Sequence, residues 1–149
     1  MRRFHFELEK VLVLRRNRER EAELALGGAM GVLMEIENRL KRTAEEKVKA
    51  AAGRFVRGNG AAEIAAHEHY IVRLDAARDR LLAESARAER AVEEARGAYL
   101  EASRDRKVID KLKERREKEY RKAAALEEIL AVDDISGGAA ARKLAAGLG

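Results

Sequence analysis

Three histidines, His5, His67 and His69, are the first residues to ask for chemistry, because the chain has no cysteine to offer a thiolate. His67 and His69 are two positions apart, so on a helix they point about 200° from one another and cannot share a metal ion. Asp and Glu are plentiful, but along thin paired helices carboxylates stay solvated, without the desolvation that tunes a catalytic pair. No GxxxxGK[ST] loop occurs; the glycines fall within helical patterns, a turn and the tail. These residues call for no catalytic site, no cofactor, no metal and no small-molecule substrate. Positive charge is more informative. Residues 1 to 20 hold seven Arg or Lys against three Glu, and residues 104 to 122 hold ten basic against five acidic residues. Those two stretches together exceed the net charge of the whole chain, which is +5.

The elements that must position this charge are helical. The stretch 61–132 contains no proline, and in heptads its first seam position falls on Ile64, Ile71, Arg78, Ser85, Val92, Tyr99, Arg106, Lys113, Tyr120 and Glu127. The fourth position falls on His67, Leu74, Leu81, Ala88, Ala95, Ala102, Ile109, Arg116, Ala123 and Leu130. Thirteen of these twenty sites are apolar, a 3.5-residue period that winds one helix against a partner. At 1.5 Å per residue that helix spans roughly 100 Å. A first pattern covers 4–57 through Ala22, Leu26, Ala29, Leu33, Ile36, Leu40, Ala44, Val48, Ala51 and Phe55. Its extra four-residue step after Leu40 reads as a stutter, which unwinds a supercoil locally.

Between the two patterns, Gly58-Asn59-Gly60 is the strongest turn signal, since glycine and asparagine accept positive φ. Glu63 suits the start of the helix that follows. The expected fold is all-α: two long helices in an antiparallel coiled-coil hairpin, the second overhanging the first. Helix 4–57, turn 58–60 and helix 61–132 form one domain over 1–136, and 137–149 reads as a disordered tail. A turn centred near 59 sets Leu33 near Ser85, and Gly27-Gly28 near Ala88 and Ala91. Gly27, Gly28 and Gly31 are therefore expected at a close approach or a bend. Glu23, Glu35 and Glu37 rule out a membrane reading of these glycines. Residues beyond about 115 have no opposite helix in this register.

The hairpin brings both basic segments to one tip, including Arg15, Arg16, Arg18, Arg20, Lys107, Lys111, Arg115 and Lys118. Such a tip suits an acidic partner through electrostatic complementarity. A solvated face with i to i+4 pairs such as Glu114–Lys118 is the plainer alternative. Nucleic acid is disfavoured because no aromatic platform or binding motif accompanies the charge. Nearer the turn, Tyr70, Leu74, Ala77 and Leu81 lie on the second helix; the two leucines are seam residues, and Tyr70 and Ala77 flank them. An amphipathic helix with exposed anchors can dock a partner segment. No secretory signal or membrane span is visible, as Val11 to Leu14 is too short for either.

Two stretches resemble the FliJ family of flagellar type III export proteins. One is Phe4-x-Phe6-x-Leu8-x-Lys10-Val11-Leu12-x-Leu14-Arg15. The other is Lys107-Val108-Ile109-Asp110-Lys111-Leu112-Lys113-Glu114-Arg115-Arg116, with Tyr120, Glu127, Glu128, Asp133 and Asp134. The resemblance implies a coiled-coil hairpin similar to the stalk of a rotary ATPase. It implies binding of the hexameric export ATPase, promotion of that enzyme's assembly and activity, and contact with the export gate protein FlhA; some members bind export chaperones. It further implies a cytoplasmic protein, peripherally associated with the membrane at the flagellar base, acting in motility. Mapped onto this chain, Arg15, Arg16, Arg18, Lys107, Lys111, Arg115 and Lys118 would face the ATPase, and Tyr70, Leu74, Ala77 and Leu81 the gate. Alternatives are the equivalent stalk of a virulence secretion system, or a generic coiled-coil scaffold.

Overall fold

The computed structural model describes residues 2–147. Two helices, α1 (Glu9–Gly53) and α2 (Ala61–Gly147), account for nearly all of it, about 90 % of the chain being helical. They pack against each other as an antiparallel hairpin, with no strand among the described residues.

The α1 seam follows from burial: Leu12, Arg15, Glu19, Ala22, Leu26, Ala29, Leu33, Ile36, Leu40, Thr43, Lys47 and Ala50 are all buried or half-buried. Their steps alternate 3 and 4 without interruption, so there is no stutter after Leu40. Val48 and Phe55, expected on the stripe, are 70 % and 75 % exposed. The polar Thr43 and Lys47 fall on the seam because the same 3 and 4 alternation continues through them, and Lys47 Nζ lies 2.7 Å from Asp75 Oδ1. The α2 seam agrees with expectation from His67 to Lys113, except that Arg78 is exposed.

The chain divides into two compact units, Asn17–Ser103 and Met1–Arg16 with Arg104–Gly149. The first contains the connection. Arg54 N bonds to the Ala50 carbonyl, and Asn59 Nδ2 donates to the Gly53 carbonyl at 2.8 Å, capping the end of α1. Positive φ falls on Gly58 (97°), not on Asn59 or Gly60. Close approach falls on Gly53, where an added Cβ would sit 3.1 Å from the His67 ring. Around Gly27, Gly28 and Gly31 an added Cβ would meet nothing within 4 Å, so the close packing expected there is absent. Because Gly53 lies level with His67, six residues into α2, the second helix starts about 9 Å beyond the end of the first. The register shifts accordingly, and Lys47 meets Asp75 where a turn centred at 59 would give Ile71. The core of this unit is Ile36, Leu81 and Ala88, packed by Leu33 and Leu40.

In the second unit, residues 2–6 are not helical, contrary to a helix start at 4. Phe4-x-Phe6 instead runs as a strap: Phe6 is buried with Leu12 and Ile109, and the Phe4 ring lies 5.4 Å from the Tyr120 ring. Tyr120 Oη donates to the Arg2 carbonyl. The residues opposite α2 therefore reach Tyr120, further than expected, and the overhang starts after it. It continues as helix through Gly137-Gly138 to Gly147, where a break at 132–136 and a disordered tail were expected. Neither glycine has the positive φ that ends a helix, and alanines 139–141, 145 and 146 favour continuation. Leu148 and Gly149 of that tail lie outside the described residues.

Candidate functional site

The basic segment of α2 separates into two faces once its pairing is known. Arg106 and Lys113 occupy seam positions and are half-buried. Arg106 Nη1 donates to Asp110 Oδ2 at 2.6 Å, and Lys113 Nζ lies 2.9 Å from Glu9 Oε2. Arg15 and Arg16 of α1 are turned toward α2: Arg15 Nη1 donates to the Asp105 carbonyl at 2.8 Å, and Arg16 Nη2 reaches Asp110 Oδ1 at 3.2 Å. Asp110 thus accepts from two guanidiniums, which hold its carboxyl below the usual carboxylate range; the Arg106 bond is the larger influence. These residues brace the helix pair. Their charge is largely spoken for.

The other face is different. Lys107, Lys111, Arg115 and Lys118 are exposed, and steps of 4, 4 and 3 keep them on one side of the helix. Arg104 and Lys122 extend the same stripe by one step at each end and are also exposed. Both fall in the basic stretch read from the sequence but are not among the expected contact residues, although the 3 and 4 spacing carries through them. No hydrogen bond or ion pair engages any of the six among the described residues. Glu114, three residues after Lys111 and four before Lys118, shares that face, so the stripe carries six cations against one carboxylate. The plainer alternative would pair Glu114 with Lys118, and no such bridge forms. Beside the stripe, Arg2, Arg3, Phe4, Phe6, Arg116 and Tyr120 line an open cleft against the strap. Arg18 belongs to the other unit, where it is exposed.

In that other unit, Leu74 and Leu81 are each only 8 % exposed, packed in the seam. Tyr70 is exposed and Ala77 half-buried. Tyr70 Oη donates to Glu46 Oε2 at 3.0 Å, and the Arg73 guanidinium stands 5.7 Å from its ring centre. The bond to Glu46 raises the phenol's pKa above its ordinary value. Ala77 sits in a shallow groove bordered by Arg39, Arg42, Arg80 and Glu84. No group of histidine and carboxylate side chains capable of holding a metal occurs among the described residues. No helix among them is long and apolar enough to cross a membrane.

No curated protein and no solved structure gives a significant match to this sequence. The model of one family, described as Flagellar FliJ protein, matches residues 4–145. That span takes in the strap, both helices and the overhang. The chain belongs to the FliJ family and is a component of the flagellar protein export apparatus.

Proposed function

We propose that this chain is a coupling stalk: it binds the hexameric flagellar export ATPase, promotes its assembly and activity, and relays its state to the export gate. The observation that carries the reading is the predominantly basic, unpaired stripe Lys107, Lys111, Arg115 and Lys118, extended by Arg104 and Lys122. Six exposed cations without partners on one helical face attract an acidic surface and lose no internal pairing when they dock. Arg15 and Arg16 hold α2 in place behind the stripe, while Arg18 adds exposed charge on α1. The gate protein FlhA is the proposed second partner, met by the exposed Tyr70 and by Ala77. Leu74 and Leu81 present them from the buried seam. Export chaperones are further candidates. Docked on ATPase and gate, the protein would be held at the cytoplasmic side of the membrane, where it would support motility.

The test is steady-state turnover of the cognate export ATPase with and without this protein. The unaltered chain should raise it. Lys107→Glu, Lys111→Glu, Arg115→Glu and Lys118→Glu together should abolish the increase while circular dichroism shows full helicity, because none of the four side chains is buried. Activation that survives the quadruple variant overturns the stripe as the contact. No activation by the unaltered chain, at concentrations where the two proteins co-purify, overturns the coupling role.

A further inference from the structure

The connection end of Asn17–Ser103 carries an apolar surface that the pairing of the helices does not use. Fourteen of residues 48–66 are exposed, and only Lys49, Arg57 and Glu63 among them are charged, in a chain that is 40 % charged. Phe4 and Phe6 pack in the strap. Phe55, the third phenylalanine, is instead the most exposed large apolar side chain among the described residues, at 75 %. Val56 beside it is 58 % exposed, and Val48, seven residues back, 70 %. The first six residues of α2, Ala61-Ala62-Glu63-Ile64-Ala65-Ala66, are all exposed as well. At about 100° per residue, the five apolar ones spread over about 200° of the helix, roughly twice the stripe that packs one helix on another.

The charges around this surface are of one sign where they are free. Residues 47–62 hold four cations, Lys47, Lys49, Arg54 and Arg57, and no carboxylate. Lys47 pairs with Asp75 and Arg54 with Glu68, and the Arg54 guanidinium also stands 4.7 Å from the centre of the Phe55 ring. Glu63 is folded back over Gly60, where an added Cβ would lie 2.8 Å from its Oε2, so its charge rests against the positive end of the α2 dipole. Lys49 and Arg57 remain, exposed and engaged by no hydrogen bond or ion pair among the described residues. We infer that this end inserts shallowly into a bilayer containing anionic lipid. Phe55 and Val56 enter the boundary between headgroups and acyl chains, while Arg57 and Lys49 meet lipid phosphates. A single apolar stripe would suit a partner helix, whereas apolar surface spread this widely round the end of a hairpin suits a fluid that closes on it from several sides. Reversible lipid contact needs an apolar and an electrostatic attraction together, and both are present here. The inference uses no residue of the basic stripe and neither protein partner, so it stands or falls apart from the coupling role.

Vesicle flotation of the full chain tests it, with Phe55→Trp as reporter, since the chain has no tryptophan of its own. On vesicles of phosphatidylethanolamine and phosphatidylglycerol this variant should float, its emission should shift to the blue, and acrylamide should quench it less. Phe55→Ser with Val56→Ser should weaken binding at least about tenfold. Lys49→Glu with Arg57→Glu should weaken it by about fivefold or more per cation, and vesicles of phosphatidylcholine alone should likewise bind less. Phe55→Trp combined with Lys107→Glu, Lys111→Glu, Arg115→Glu and Lys118→Glu should still float with the blue shift, which separates this contact from adsorption through the stripe. All these side chains are exposed, so circular dichroism should be unchanged throughout. No flotation, or flotation without the blue shift, overturns the proposal. So does a double serine variant that floats like the parent, equal binding to phosphatidylcholine, or a loss of binding confined to the stripe variant.

Discussion

The two units of this hairpin solve the same packing problem with opposite means. In Asn17–Ser103 the seam is narrow and lined by Leu33, Ile36, Leu40, Leu81 and Ala88, and its exposed faces carry charges of both signs. In the other unit an aromatic strap adds bulk, and Leu12 is completely buried with Phe6 and Ile109. There the seam is also braced by ion pairs, Glu9 to Lys113 and Asp110 to Arg16 and Arg106. Bulk and bracing free the outward face of α2 from any part in holding the fold. The stripe from Arg104 to Lys122, the proposed contact, therefore takes no part in the pairing of the two helices.

The comparison breaks first at Leu12. Leu12→Ala removes a fully buried side chain and should cost about 2–5 kcal/mol in chemical denaturation. Ala88→Gly in the small-residue seam should cost about 1 kcal/mol by lost helix propensity and a little packing. Equal losses at the two sites would show that the strap adds no core. Next, Gly27→Ala, Gly28→Ala and Gly31→Ala should each raise stability by roughly 0.5–1 kcal/mol, since the added methyl meets only solvent. A drop in melting temperature at any of them would mean that these positions touch something. The smallest effect is electrostatic. Because the native pKa of Asp110 is depressed, its contribution is present above the ordinary carboxylate pKa of about 4 and fades as pH falls through the lowered native value. Asp110→Asn should cost about 1 kcal/mol or less at neutral pH and flatten the acid limb of the stability profile. An unchanged acid limb would assign that limb to other groups, Asp75 first among them, since Lys47 also lowers its pKa.

Much of this was legible from residue order. The α2 heptads name the seam from His67 to Lys113, because apolar residues there coincide with the positions that face α1. The same rule fails on α1 after Leu40, where Val48 and Phe55 are more apolar than Thr43 and Lys47 yet point outward. Apolarity nominates a phase, but the 3 and 4 alternation set from Leu12 onward carries Thr43 and Lys47 onto the seam, where Lys47 finds Asp75 across it. Gly137-Gly138 misleads in the other direction: a glycine pair stops a helix only when a left-handed residue is needed, and here the surrounding alanines keep the backbone helical. The basic segment was visible as composition. Its division into bracing and free residues depends on which carboxylates lie opposite, and that emerges only with the register. Leu74 and Leu81, by contrast, read as seam residues from their heptad positions, and both are buried there.

The capped connection at Asn59 also sets an order of events in folding. Contacts beside it join residues close in sequence: Arg54 to Glu68 across 14 positions and Tyr70 to Glu46 across 24. Those that assemble the strap and its core span far more chain, 90 positions for Arg15 to Asp105 and 118 for Tyr120 to Arg2. Loop-closure entropy favours the short spans, so the hairpin should zip from the connection outward, with the long-range contacts made last. The best-packed core then forms only on a template already laid down, and a chain still emerging from the ribosome cannot complete it until the second half of α2 has been made. The basic stripe acquires its bracing at the same late moment, so a partner that reads the braced face would engage finished molecules in preference to half-zipped ones.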